Sequence, residues 1–368
     1  MKPLVGDHIE TLKPYVPGKP IEELRRERGI TTEIVKLASN ENPLGGSPLA
    51  LAAAHKAIEE AHLYPDGAVF DLRQRLGKHL GVSPERVVAG NGSNELMEIL
   101  VRTFTAPGDN VVLSQYSFIA YRIVSQVLGL EIRSVPMAEG FVHDLSAMAQ
   151  AVDERTRLVF TANPNNPTGT YNNADQVKDF LQTLAARPNP PLVIVDEAYI
   201  EFVDAEDHID SMTLHDLYPR LITMRTFSKI YGLAAFRVGY MVCSEEIAGY
   251  VNRTRAPFNV NRIGQIAATA ALDDMAFVER AASLNTTERA RVTTALEAMG
   301  VEVIHSQTNF VLCRCGRPGF EIYDALLDLG TITRPMNGYG LHEWVRISIG
   351  TPEQNDRLLS DLAQVLKS

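Results

Sequence analysis

Apolar residues along the first two thirds of this chain gather in short runs, and most of these runs are separated by stretches in which they recur every third or fourth position. ERVVAG at 85–90 reads as a strand, GNGSN as its turn, and ELMEILVRTF at 95–104 as a helix with one apolar face. NVVLSQYS at 110–117 is a second strand pattern, followed by helical IAYRIVSQVLG. RLVFTANP, PLVIVDEAY, LITMRTFS and FRVGYMVCS repeat the β-rich pattern at 157–164, 191–199, 221–228 and 236–244. Continuous Val/Ile/Leu runs, rather than apolar–polar alternation, predict strands buried on both faces of a largely parallel sheet.

The last third changes character. Residues 263–299 are rich in Ala, Glu and Arg and predict long helices, and after them come VEVIHS, TNFVLCRC, helical FEIYDALLDLG, strand-like EWVRISIG and a final helix from Pro352. The expected fold is therefore α/β: a large domain with a mostly parallel, seven-stranded sheet, beside a smaller α+β domain. The expected boundaries are 36–260 for the large domain, with an N-terminal arm (1–35) and 261–368 forming the rest. No Ser/Gly linker interrupts the chain, so the two units should form one body with a cleft between them.

Composition adds exclusions. Of the 368 residues 45% are hydrophobic and 22% charged, which is ordinary for a globular protein and unlike a disordered one. A formal net charge of −10 argues against a general nucleic-acid binder, although a few arginines in a cleft can still attract a small anion. No apolar run reaches membrane-spanning length, and the start of the chain, MKPLVGDHIETLKPY, has no signal-peptide core. Cys243, Cys313 and Cys315 offer neither a disulfide framework nor a metal-ligand set, so no metal and a cytoplasmic location are the expectations.

The polar residues that stand out lie at the carboxyl ends of the strand patterns, where open α/β sheets bind ligands. GNGSNE at 90–95 places a Gly-rich turn before a helix, a phosphate-binding arrangement, or else a plain tight turn with Asn94 as helix cap. NPNNPTG at 163–169 fixes a rigid loop that presents Asn166. PLVIVDEAY ends in Asp196 and Glu197, which strand alternation sends to opposite faces, with Tyr199 beyond them. A carboxylate there is costly unless partnered, and one on the ligand face could hold a proton on a heterocyclic nitrogen. Thr226, Ser228 and Lys229 follow the next strand, with Arg237 eight residues after the lysine. Two hydroxyls and a guanidinium suit a dianion, and a lysine in such a setting can stay nucleophilic. One ligand needs all of these groups: pyridoxal 5′-phosphate (PLP), through its phosphate, ring nitrogen, 3-oxygen and aldehyde.

In this order NNPTG, DEAY, TFSK and the arginine eight after the lysine resemble the fold-type I PLP-dependent aminotransferases over nearly the whole chain. LKPY at 12–15, LASNENPLG at 37–45, LYPDG at 63–67, NGSNE, and RPxxxYGL followed by VRISIG are similar to the histidinol-phosphate aminotransferase group within them. The resemblance implies that Lys229 carries the cofactor as a Schiff base and shuttles the reacting proton. It gives Asp196 to the ring nitrogen, Tyr199 and Asn166 to the 3-oxygen, and Tyr116, with Phe118 as competitor, to the ring face. It gives Gly92, Ser93, Asn94, Thr226, Ser228 and Arg237 to the phosphate, with Tyr64 reaching the phosphate of the neighbouring subunit in a homodimer. It gives Arg346, Arg334 and Tyr15 to the substrate's phosphate or carboxylate, and Asn42 to the neighbourhood of the substrate amine.

Two departures bear on specificity. YGLAAFR at 231–237 has Ala235 and Phe236 where the family more often has glycine and leucine, and SQYSF at 114–118 replaces a proline-led stacking loop. Neither removes a chemical group. The expected reaction is transamination between histidinol phosphate and 2-oxoglutarate. An aromatic or broad-range aminotransferase and a threonine-phosphate decarboxylase stand as alternatives on the same frame.

Overall fold

A computed structural model describes residues 3–367. Seven strands form the large sheet, in the spatial order Val87–Gly90, Gly239–Val242, Leu221–Thr226, Leu192–Asp196, Thr156–Ala162, Asn110–Ser114 and Glu131–Val135. Gly239–Val242 runs antiparallel to both of its neighbours, and every other pairing is parallel. The central strands are buried along nearly their whole length, as the apolar runs LVF and LVIV require, and in Leu221–Thr226 the buried positions include Thr223 and Arg225. Glu131–Val135 lacks such a run because it is the edge strand: its first four residues reach solvent, so its sequence, EIRSV, carries no burial signal.

Four strands make the smaller sheet, ordered Arg334–Pro335, Trp344–Ser348, Phe310–Arg314 and Glu302–Ile304, all antiparallel. Gly319–Asp328 and Pro352–Lys367 pack on it over Val311, Cys313, Val345 and Ile347. The segment before the large sheet serves both units. Its helix Ile21–Arg28 inserts Leu24 beside Tyr323 and Leu327, and Arg28 pairs with Asp324 and Asp328. Farther upstream, the backbone carbonyl of His8 accepts from Gln126, on the helix Ile119–Val127 of the large unit.

Packing continues across the position of the expected boundary at 260/261. Ala267, Ala268 and Ala271 of helix Arg262–Ala271 share a core with Ala50, Leu72, Val238 and Tyr240 of the large unit. The 24-residue helix Met275–Ala298 spans both cores: Val278 and Ala281 lie in the large one, Val292 and Leu296 in the small one. Alanine-rich periodicity identifies a helix face but not which core that face meets.

Candidate active site

The parallel strands of the large sheet end at Ala162, Asp196 and Thr226, and the loops that follow open onto one cavity. Lys229, Asp196, Tyr199, Asn166, Thr226 and Ser228 all line it, as do Ser93 and Asn94 from the first turn of helix Gly92–Phe104. Arg346, from the strand Trp344–Ser348 of the smaller sheet, closes the far wall together with Arg334, Tyr15 and Tyr339. The cavity holds about 220 Å³, several times the ~30 Å³ share of one water.

One end suits a phosphate. Gly92 has φ +76, a conformation that glycine adopts without strain, and a Cβ built on it would stand 2.5 Å from Arg237 Nη2, so a side chain here would displace the guanidinium. The helix begins at Gly92 after the cap position Asn91, three residues earlier than a cap at Asn94 would put it, which turns the N–H groups of its first turn toward the cavity end. Thr226 and Ser228 bring hydroxyls to the same end, with Thr226 Oγ1 accepting from the Ser228 N–H at 3.1 Å. Arg237 lies exposed at the mouth in a left-handed conformation, φ +56, and donates to the Ala234 carbonyl at 3.1 Å.

Asp196 occupies the floor. Its Oδ2 accepts from the Tyr121 hydroxyl at 2.7 Å and its Oδ1 from the Ala198 N–H at 3.1 Å. Burial pushes its pKa up to about 6, opposed by Tyr121, Ala198 and the Lys229 charge. Glu197, on the opposite face as alternation predicted, turns away to accept from the Ser211 N–H and from Arg225. The Lys229 amine donates to the Ser39 carbonyl at 3.3 Å and lies 5.7 Å from the centre of the Tyr199 ring. Burial, and then the charge of Arg346, bring its pKa down to about 8. The Tyr199 hydroxyl, pushed up to about 12 by burial, accepts from Asn40 Nδ2 at 3.0 Å.

On the far wall, Arg346 Nη1 donates to Asn166 Oδ1 and Nη2 to the Ala38 carbonyl, while its buried Nε has no partner among the described residues. Arg334 lies over the Tyr15 ring, 5.6 Å from its centre, and donates to the Val16 carbonyl at 2.6 Å. A dianion end, a buried carboxylate, a phenol and a lysine with a depressed pKa form a donor set that fits PLP, and the two arginines opposite leave room for an anionic substrate.

Three expected site residues lie elsewhere. Tyr116 does not reach the cavity; its ring packs beside Phe141, 5.8 Å between centres, and Phe118 lines the cavity instead. Asn42 donates to the Ile230 carbonyl at 2.8 Å and accepts from the Leu44 N–H, so it braces the lysine loop, and Asn40 is the residue of that motif that faces the cavity. Tyr64 is 80% exposed and stacks on Phe258, 4.9 Å away, outside the cavity of its own chain. Sequence reading missed Asn40, Tyr121 and Tyr339. Asn40 was within reach, because its positive φ is one that asparagine tolerates, but no local signal separated it from Asn42.

No group of three or more His, Cys, Asp or Glu residues among those described could hold a metal, and no described helix is long and apolar enough to cross a membrane.

Residues 32–362 match the family model of aminotransferases of class I and II. A histidinol-phosphate aminotransferase from an Anaeromyxobacter species is 47% identical to this chain, covering 99% of each. A Pseudomonas aeruginosa protein named histidinol-phosphate aminotransferase 2 is 45% identical over 97% of this chain and 96% of its own. Among solved structures, the Sinorhizobium meliloti histidinol-phosphate aminotransferase in complex with PLP superposes with a TM-score of 0.88 at 30% identity, covering 100% of this chain and 98% of its own. A Thermus thermophilus aspartate aminotransferase variant, at 21% identity and a TM-score of 0.84 over 99% of this chain and all of its own, shares the fold.

Proposed function

This chain belongs to the class I and II aminotransferase family, and from that premise we propose that it moves the amino group of L-histidinol phosphate to 2-oxoglutarate, giving imidazole acetol phosphate and L-glutamate. Its cofactor is pyridoxal 5′-phosphate, which supplies the electron sink that makes the proton on the amine-bearing carbon removable. The observation that carries the reading is the pairing, in one cavity, of a lysine amine brought down to about 8 with a guanidinium wall of Arg346 and Arg334.

The residues divide the work. Lys229 Nζ, with part of its population neutral near pH 7, would hold the cofactor through its aldehyde carbon; displaced from that carbon by the substrate's amine, the freed lysine would take the proton from the substrate's amine-bearing carbon and return it as general acid. Asp196, held between two donors, balances a positive ring nitrogen. Tyr199 would hold the 3-oxygen and Phe118 would cover the ring. Ser93, Asn94, Thr226, Ser228 and Arg237 hold the cofactor's phosphate. Arg346, with Arg334 and Tyr15, receives the substrate's phosphate and, in the second half-reaction, a carboxylate of 2-oxoglutarate. The curated relatives' shared name at 45–47% identity over nearly the full length supports this substrate.

The active unit in this proposal is a cytoplasmic homodimer. Leu49, Ile58, Leu63, Tyr64 and Phe70 are all about half exposed or more, with Phe258 stacked on Tyr64, and an apolar surface of this kind suits a subunit interface. Tyr64 would enter the partner's site from there. Three free thiols fit a reducing compartment.

The test is a single turnover. Holoenzyme mixed with histidinol phosphate and no keto acid should lose the absorbance of the lysine-bound cofactor and form pyridoxamine phosphate at far lower concentration than phenylalanine or tyrosine requires. Conversion by aromatic amino acids alone would make it a broad-range aminotransferase. Carbon dioxide released from threonine phosphate would make it a decarboxylase.

A further inference from the structure

Asp196 is not held by the strand alone. The helix Ile119–Val127 sends Tyr121, fully buried, across the sheet to donate its hydroxyl to Asp196 Oδ2 at 2.7 Å. The ring has little freedom to do otherwise. It stacks on Phe160 of the neighbouring strand, 5.0 Å between centres and 10° between planes, and Phe118 meets it edge-on at 5.8 Å. Ser125 anchors the same turn by donating to the Tyr121 carbonyl at 2.7 Å. Taking this chain as the PLP enzyme argued above, we infer that Tyr121 is a positioning residue that keeps Asp196 an ionised acceptor, so that the ring nitrogen, and not the carboxylate, carries the proton.

Two opposing effects meet at Asp196. Burial favours the neutral acid, and the Tyr121 hydroxyl, the Ala198 N–H and the charge on Lys229 favour the anion; the balance leaves the group at about 6. Besides Lys229, Tyr199 and Tyr339 are titratable groups close by, and burial raises both phenols, so their hydroxyls stay neutral. Tyr121 itself cannot compete for the proton. Burial and the neighbouring carboxylate push its pKa well above the ordinary phenol value, so it acts only as a donor. Removing that one hydroxyl leaves burial less opposed, makes the carboxylate more basic, and draws the shared proton from the ring nitrogen toward Asp196. A hydrogen bond to a charged group corresponds to roughly a tenfold to hundredfold change in an equilibrium, so the proton's position should move measurably.

The experiment compares Tyr121→Phe, which removes one oxygen and keeps the ring, with the unmodified protein. Holoenzyme is loaded with PLP carrying ¹⁵N in the ring and followed by NMR across pH 6 to 9. The expected result is a ring-nitrogen shift in the variant displaced toward the deprotonated value. In the apoenzyme, infrared difference spectra should show a protonated-carboxyl band that grows with Tyr121→Phe and vanishes in Tyr121→Phe/Asp196→Asn. Borohydride reduction, which fixes the cofactor to Lys229, checks the underlying assignment separately. Failure to label Lys229 in the unmodified protein would remove the PLP reading itself. Normal labelling with an unchanged ring-nitrogen shift and no new carboxyl band would overturn the inference alone, and a lower melting temperature with both spectra unmoved would make Tyr121 a packing residue only.

Discussion

Arg346 Nη1 donates to Asn166 Oδ1 at 2.5 Å, and this bond joins the smaller sheet to the loop that leaves the large one. The arginine is 8% exposed, lies over the Phe310 ring and has a buried Nε without a partner among the described residues. A buried guanidinium with one donor unused is poised for an anion. Its amide partner has the oxygen occupied, so the NH₂ group of Asn166 is what remains to donate to a ligand.

Arg346→Ala is expected to lower kcat/KM for both histidinol phosphate and 2-oxoglutarate by about 10²- to 10⁴-fold, the loss of two charge-assisted bonds. The absorbance of bound cofactor should persist, because the phosphate end of the cavity is built from other residues. Arg346→Lys should recover little, since an ammonium cannot reproduce the planar fork. Steady-state kinetics with each substrate varied in turn measures this. Equal activity of the lysine variant would mean that charge alone is read.

The lysine gives a prediction in pH. Burial and Arg346 hold Lys229 at about 8, against 10.5 for a free side chain, so its neutral fraction rises through the range 7 to 9. Only the neutral amine attacks the cofactor's aldehyde. Attachment of PLP to the apoenzyme should therefore accelerate as pH rises, with a midpoint at about 8, and level off roughly one pH unit above it, as read by stopped-flow absorbance. Arg346→Ala, which removes a repelling charge, should shift that midpoint upward. A midpoint that stayed put would leave burial as the whole cause.

These two groups differ in how openly the sequence announces them. Lys229, Asp196, Tyr199 and Asn166 each follow a continuous apolar run that ends in a turn, so strand pattern and chemistry point to the same place. Tyr121 sits inside an apolar helix, where an aromatic reads as core, and only the third dimension aims its hydroxyl at Asp196. Phe118 and Tyr116 are two residues apart in one loop, and the choice between them depends on the start of the following helix at Ile119, which periodicity does not fix to the residue. Asn40 and Asn42 present the same difficulty. The break between the two units was illegible for another reason: the helix Met275–Ala298 belongs to both cores.

Behind the site, Glu197 and Arg225 form a pair with side chains 0% and 9% exposed, 2.7 Å apart at closest, and Asp210 also accepts from the arginine. Burial pushes the Glu197 pKa up and Arg225 opposes it. Arg225→Met leaves a carboxylate in the core without its cation and should cost about 3–5 kcal/mol, measured by urea unfolding. The double change Arg225→Met/Glu197→Leu removes both charges and should recover much of that loss. Recovery of less than about 1 kcal/mol would mean that the cost lies in packing rather than in the orphaned charge.

Asn40 supports a sharper test, because its backbone and side chain can be separated. It has φ +54, in the left-handed region, and its side chain joins the two units: Nδ2 donates to the Tyr199 hydroxyl at 3.0 Å, and Oδ1 accepts from Ser348 Oγ at 3.0 Å. Asn40→Ala loses both bonds, about 1 kcal/mol each, and also puts a Cβ-bearing residue without a local polar side chain into the left-handed region at about 1–2 kcal/mol. Asn40→Gly loses the same bonds without that conformational cost. The alanine variant should therefore be the less stable of the two by about 1 kcal/mol in urea titration, while both release Tyr199 to the same degree. If the side chain governs the phenol, both variants should shift the spectrum of the bound cofactor equally despite unequal stability. A spectral shift that followed stability instead would assign the effect to backbone strain at residue 40, and Tyr199 would then be held by its own packing against Phe310.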